Sequence, residues 1–210
     1  MRVRPVSFEA LVDDLVDRLT SRESDSRLRV AIDGADAAEP GRLADALVSP
    51  LRVRGRPAVR IDTADFLRPA SLRLEHGRTN PDSFYTGWFD EAGLIREALA
   101  PAAPDGTGRI VTRLWNATTD RAAREPYQAL PENAIVLVNG PLLLGSGLPF
   151  EFTVHLAVSP PALARRTAPD RQWTLPAFRR YEAEVAPASF ADVVVRVDDP
   201  KHPALVTGVG

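Results

Sequence analysis

The chain has 210 residues, 44% hydrophobic and 26% charged, with a formal net charge of −2 at pH 7. These proportions suit one large soluble domain and exclude disordered and collagen-like classes, and the near-neutral charge gives no broad attraction for nucleic acid or an anionic membrane. With no cysteine there is neither a disulfide framework nor a thiol nucleophile, and the longest apolar runs, Ala134–Val138 and Pro141–Leu144, are too short to span a bilayer.

Phe8, Leu11, Val12, Leu15, Val16 and Leu19 recur at helical spacing, which predicts an amphipathic helix over 7–20 with Ser7 as its N-cap. Asp13, Asp14 and Asp17 interrupt any apolar signal-peptide core behind the basic start Met1–Pro5, so a cytoplasmic location is expected. Leu28–Asp33 reads as a buried strand and Pro40–Val48 as the helix after it, with Pro40 at the first helical position, where its missing N–H would be orphaned anyway. Pro57–Asp62 is a second strand. The segment Phe66–Asp90 is long, weakly periodic and rich in arginine and aromatics, as functional loops and lids are.

Glu91–Leu99 is predicted helical and ended by Pro101 and Pro104. Arg109–Trp115 alternates like a strand and is expected to pair near Glu125–Gln128. Ala134–Asn139 and Phe152–Val158 are buried strands, Ala191–Val197 the last strand, and helices are expected from Pro160 or Pro161 to Thr167 and over Leu175–Ala188. Strands alternating with helices predict an α/β three-layer sandwich around a mostly parallel sheet. The chain is read as one domain over 1–210, with a core over about 28–198 and a loose tail over 199–210.

Between the first strand and its helix runs Gly34-Ala35-Asp36-Ala37-Ala38-Glu39-Pro40-Gly41. It has the length of the phosphate-binding pattern G-x-x-x-x-G-K-[ST] without its chemistry. Glu39 stands at the second glycine, Pro40 at the lysine that reaches the phosphates, and Gly41 at the hydroxyl that holds Mg²⁺. Of the 26 basic residues only Lys201 is a lysine, far from this loop. The segment is either a plain strand-to-helix turn or a remodelled phosphate nest using backbone donors and Arg42.

Four pieces in order, Val30–Gly34, Ala64–Pro69, Phe84–Asp90, and Leu175-Pro176 through Tyr181 to Glu184-Val185 and Pro187, resemble the uridine kinase family of P-loop nucleoside kinases. The likeness spans about Arg29–Pro203. It implies a P-loop NTPase fold with a five-stranded, mostly parallel sheet and an arginine-rich lid. It also implies ATP and Mg²⁺ as phosphoryl donor and cofactor, should the family's 5′-phosphorylation of a nucleoside survive, and a homo-oligomer, as in relatives that assemble. The family carboxylate that takes the hydroxyl proton falls at Ala64; Asp65 is adjacent but on the opposite side of the strand end. Asn139 stands where an acidic residue closes the strand, and an amide is a poor Mg²⁺ ligand. The lid is shortened, leaving Arg165, Arg166 and Arg171 as phosphate-reaching remnants or a solvated helix end.

The resemblance places Phe89 and Asp90 against the nucleoside. Phe66, Tyr85, Trp88 and Trp115 are candidate flat surfaces for a base, and Arg68, Arg73 and Arg78 make the neighbouring loop basic, which suits an anionic ligand. His76, His155 and His202 show no metal-ligand spacing, and His155 reads as a satisfied core residue. Gly145-Ser146-Gly147 lacks the nucleophile-turn pattern. The expected function is a nucleoside- or nucleotide-binding pseudokinase. Against it stand an active nucleoside kinase rebuilt around Arg42, Asp65 and Asp33, and a scaffold that binds no small molecule.

Overall fold

A computed structural model describes residues 2–22 and 25–207. The chain opens with strand β1 (Arg2–Pro5) and helix α1 (Phe8–Thr20), whose Ser7 cap accepts the Ala10 N–H at 3.1 Å. Strand β2 (Leu28–Asp33) leads through a single 3₁₀ turn into α2 (Pro40–Val53), and β3 (Ala58–Asp62) follows. Helix α2 runs past Pro50, beyond the predicted end at Val48, because a proline fixed near φ −65° fits the helix and forfeits only one hydrogen bond in its last turn.

The segment expected to be a loop contains two short helices, α3 (Ala70–Arg73) and α4 (Pro81–Gly87). Helix α5 (Glu91–Leu94) continues as a π turn over Ile95–Leu99. Four two-residue strands form two small ribbons: β4 (Arg109–Ile110) pairs with β7 (Gln128–Ala129), and β5 (Trp115–Asn116) with β6 (Arg121–Ala122). Strands β8 (Ile135–Gly140) and β9 (Phe152–Ala157), helices α6 (Pro160–Arg166) and α7 (Leu175–Glu184), and strands β10 (Val193–Arg196) and β11 (Ala204–Thr207) complete the chain.

The main sheet has seven strands in the order β1-β11-β10-β9-β2-β8-β3. Five of them, β10-β9-β2-β8-β3, pair in parallel. The expected five-stranded sheet is thus the parallel core of a wider one, extended at one edge by antiparallel β11 and β1. The expected loose tail is corrected on this point: Ala204–Thr207 sits between β10 and β1, with Leu205 buried. Residues 208–210 lie outside the described residues. Both added strands have only four residues, too few to stand out by periodicity.

Alternation along the strands sorts the core into two layers. Leu28, Val30 and Ile32 of β2, with Ile135 and Leu137 of β8, meet the buried faces of α1 (Leu11, Leu15, Leu19) and α2 (Leu43, Leu47, Leu51). On the other face Ala31, Ile61, Val136 and Val138 pack under Phe66, Phe84, Trp88, Leu99 and Tyr181. Helices on both faces leave the carboxyl ends of the parallel strands to open into a cleft, the usual place for a ligand in such a sheet.

Candidate functional site

Strands β2, β8 and β3 end side by side at Asp33, Gly140 and Asp62. From there Gly34 donates its N–H to the Gly140 carbonyl at 3.1 Å, and the loop turns through Asp36–Ala38 into α2. Two loop donors are already used: the Ala38 and Glu39 N–H groups bond the carbonyls of Ala35 and Asp36 at 2.7 and 3.0 Å. Glu39 has φ 58° and ψ 47°. That left-handed conformation is the one glycine adopts freely, and it costs another residue roughly 1–2 kcal/mol. The backbone therefore keeps a glycine shape at the position where the phosphate-binding pattern has glycine.

Arg42 borders the cleft at the start of α2. Its Nη1 meets Glu39 Oε2 at 3.2 Å, and its guanidinium lies 4.2 Å from the centroid of the Phe8 ring on α1. No side chain leaves Gly41. A Cβ built there would come within 2.7 Å of Arg60 Nη2 and 3.5 Å of Asn139 Nδ2. Arg60, on β3, donates from Nε to Asn139 Oδ1 at 2.6 Å, from Nη1 to Asp45 at 2.9 Å, and from Nη2 to Asp62 Oδ2 at 2.6 Å. Asn139 donates to the same Asp62 oxygen at 2.9 Å, and the other Asp62 oxygen accepts the Ala64 N–H at 2.9 Å. Arg60, Asp62 and Asn139 thus form a closed, charge-compensated assembly beneath the start of α2.

Asp33 is wholly buried. Its carboxylate accepts the Leu143 N–H at 2.9 Å, meets His155 Nδ1 at 2.7 Å, and accepts the Tyr181 hydroxyl at 3.1 Å. Tyr181 in turn accepts the Leu144 N–H at 2.9 Å. Burial, reinforced by the neighbouring Asp33 charge, pushes the Tyr181 hydroxyl far above its ordinary pKa. The cluster ties β2, β9, α7 and the segment after β8 together, and it is saturated. Asp33 therefore offers nothing outward, and His155 is the bonded core residue expected of it.

Asp65 lies in the 3₁₀ turn Thr63–Phe66 that follows β3. Its Oδ1 accepts Arg113 Nε at 2.6 Å, with Glu125 close to the same guanidinium. Burial raises its pKa, and the bond to Arg113 opposes that rise. The residues bordering the cleft at this point are Thr63 and Ala64.

The cleft has a volume of about 610 Å³. Between Asp36 and Glu39 on one wall and Leu67, Phe84, Trp88 and Phe89 on the other, it is bordered by the cations Arg73 and Arg171. Arg73 is anchored by its Nε to the Arg68 carbonyl at 2.6 Å and lies 5.3 Å from the Trp88 ring centroid. Arg171 stands 3.7 Å from Asp36 Oδ2 and over the rings of Phe84 and Trp173. A second opening of about 380 Å³ shares Asp36, Glu39, Phe84 and Arg171 with it and reaches Arg166.

Several residues expected around a base lie elsewhere. Phe66 is buried in the lower core layer. Asp90 caps α5, accepting the Gly93 N–H at 2.9 Å. Tyr85 donates to Glu184 at 3.1 Å under the Arg180 guanidinium, and Trp115 donates to Asp120 at 3.0 Å. Arg68 points to the Gly87 carbonyl, Arg78 and Arg165 are exposed, and Arg166 donates to the Val197 carbonyl. Of the expected set, Phe89, Trp88, Arg73 and Arg171 border the larger cleft, together with Arg42 and the loop residues Asp36, Glu39, Pro40 and Gly41. Sequence reasoning missed Arg60 and Trp173. Arg60 carried a signal, since Arg60 and Asp62 share one face of an otherwise apolar strand whose register sets Asp62 beside Asn139.

Among the described residues no three His, Cys, Asp or Glu side chains are grouped to hold a metal ion, and no helix is long and apolar enough to cross a membrane. No known protein-family profile and no curated protein matches the chain. Solved structures do. A protein described as a possible uridine kinase, from Bacillus stearothermophilus, superposes with a TM-score of 0.72 at 20% identity over 89% of this chain and 97% of its own. A candidate fructose transport system kinase from Silicibacter sp. TM1040 gives 0.64 at 20% identity over 90% and 98%. At these identities the likeness is one of fold: the chain shares the α/β fold of these two structures, with its mostly parallel central sheet, over nearly their whole length.

Proposed function

We propose that this protein binds a nucleoside or nucleotide in the cleft at the strand ends and does not transfer a phosphoryl group. The observation that carries the reading is the assembly beneath Gly41. Phosphoryl transfer is positioning and charge stabilisation by a lysine, a metal ion and a residue that takes up or orients the nucleophile. Here Pro40 supplies no cation, Gly41 no hydroxyl, Asn139 no carboxylate and Ala64 no base, while Arg60 fills the space beside them. Of the residues from which a rebuilt kinase would draw, Asp33 and Asp65 are engaged elsewhere, and Arg42, at the edge of the cleft, is paired with Glu39.

Support for a ligand comes from the cleft. At about 610 Å³ it lies within the usual range for small-molecule sites, roughly 300–1,000 Å³. Phe89 offers partly exposed ring surface backed by the buried Phe84 and Trp88, and Arg42, Arg73 and Arg171 offer guanidinium groups, each beside an acidic partner, Glu39, Asp120 and Asp36. A flat ring joined to an anionic group fits both. Calorimetry with uridine, UMP and ATP·Mg²⁺, separately and together, tests the reading. It expects heat from a nucleoside or monophosphate and no UMP formed from ATP and uridine. It also expects Arg171→Ala to weaken UMP binding by about tenfold, the loss of one charged hydrogen bond, with less effect on uridine. Steady UMP production makes the chain a kinase, and a flat response to every nucleotide leaves a scaffold.

A further inference from the structure

We propose that Arg60 is a resident cation standing in the divalent-metal position of this fold, so that the protein excludes Mg²⁺ by occupancy and by charge. The inference rests on Gly41 standing at the hydroxyl position of the phosphate-binding pattern, and not on which ligand the cleft takes. In that pattern the hydroxyl and the acidic residue closing the neighbouring strand direct oxygen atoms at one metal ion. The equivalent positions here are Gly41 and Asn139, and the direction in which a side chain would leave Gly41 ends on Arg60 Nη2, 2.7 Å from the Cβ.

Three things follow from that placement. The first is steric: the guanidinium, bonded to Asn139, Asp62 and Asp45, sits where the ion would sit. The second is the donor set. Hard cations take oxygen ligands, and one Asp62 oxygen already accepts both Arg60 and Asn139 while the other accepts the Ala64 N–H. Asn139 presents its one oxygen to Arg60. The third is charge. Arginine does not deprotonate in a protein, so the guanidinium permanently neutralises the Asp62 carboxylate that would otherwise attract Mg²⁺. A planar guanidinium holding three partners at once also fixes the ends of β3 and β8 to α2, a service that a bound metal would otherwise perform. Anions entering the cleft would then do so as free anions rather than as metal complexes.

The test uses Mn²⁺ alone, followed by the loss of the free-ion electron paramagnetic resonance signal, with no nucleotide in any arm; a failure of the nucleotide reading therefore leaves its outcome untouched. The wild-type chain is expected to take up no Mn²⁺ at millimolar concentration. The double variant Arg60→Gln with Asn139→Asp is expected to bind one Mn²⁺ per chain at least tenfold more tightly, and adding Asp62→Asn is expected to abolish that gain. The single variant Arg60→Gln, which keeps a neutral hydrogen-bonding side chain, is expected to gain part of the affinity and serves if the double variant fails to fold. Two results overturn the proposal. One is stoichiometric Mn²⁺ binding by the wild type that Asp62→Asn removes. The other is a variant with native circular dichroism and a cooperative melt that binds Mn²⁺ no better than the wild type.

Discussion

Asp33 shows how a residue that looks catalytic in a sequence can be wholly structural. It closes β2 next to a phosphate-type loop, yet its carboxylate serves Leu143, His155 and Tyr181 inside the protein. Truncating it strands three buried partners at about 1–3 kcal/mol each in lost hydrogen bonding. Asp33→Ala is therefore expected to lower the unfolding free energy by at least about 3 kcal/mol, read from urea denaturation. Glu39 makes the opposite case. Its left-handed backbone costs roughly 1–2 kcal/mol, of which glycine would return part to unfolded-chain entropy. Glu39→Gly is expected to raise stability by up to about 1 kcal/mol in the same assay, whereas Glu39→Ala, still bearing a Cβ, is not. At this scale the sequence was only half legible. The substitutions at Glu39, Pro40, Gly41, Ala64 and Asn139 could be read directly, because the pattern fixes their positions. Orientation could not: Phe66 and Phe89 look alike in a string, but one ends a turn that drops into the core and the other faces the cleft.

The elements fall into those with a strong local pattern and those that exist only through their neighbours. The central strands β2, β8 and β9 are dominated by apolar residues and lie within a residue or so of their predicted ranges, as buried parallel strands should. Strands β1 and β11 had no such signature. They are held by pairing with each other, by the pairing of β11 with β10, and by Leu205, which inserts into the core layer under α1 and α2. Leu205→Ala is expected to cost about 2–4 kcal/mol, the range for deleting a buried leucine side chain, as a lowered urea midpoint; a loose tail would show no change. The long arginine-rich stretch before α5 lines the cleft through Leu67, Arg73, Phe84, Trp88 and Phe89, but its organising force escaped the sequence. Phe84, Trp88, Phe89, Trp173 and Phe178 join α4 to the turn before α7 with ring centroids 5.3–6.0 Å apart. Contacts between residues some ninety positions apart leave no periodic trace.

Across the whole molecule, pH acts through carboxyl groups pulled in opposite directions. Asp198 accepts the Ser159 N–H at 2.7 Å just before α6, and that bond holds its pKa below the ordinary carboxylate value. Hydrogen bonds from Tyr127 and then Arg96 lower Glu97 in the same way. A carboxyl whose folded pKa is depressed stabilises fully above its unfolded pKa, about 4, and loses that contribution as pH falls through the folded value. Burial raises Asp65 and Glu91; their contribution is present below the unfolded pKa and disappears as pH rises through the folded one. The stability gap between wild type and Asp198→Ala is accordingly expected to be full at pH 7 and to shrink below about pH 4, in urea midpoints taken at pH 7, 5 and 3. The seam at the sheet's edge has a consequence for biosynthesis. Thr207 bonds back to Arg2 across 205 residues of chain, so β1 leaves the ribosome long before the strand that completes it. The parallel centre can assemble while translation continues, but β1 must wait, unpaired, for a strand made 205 residues later.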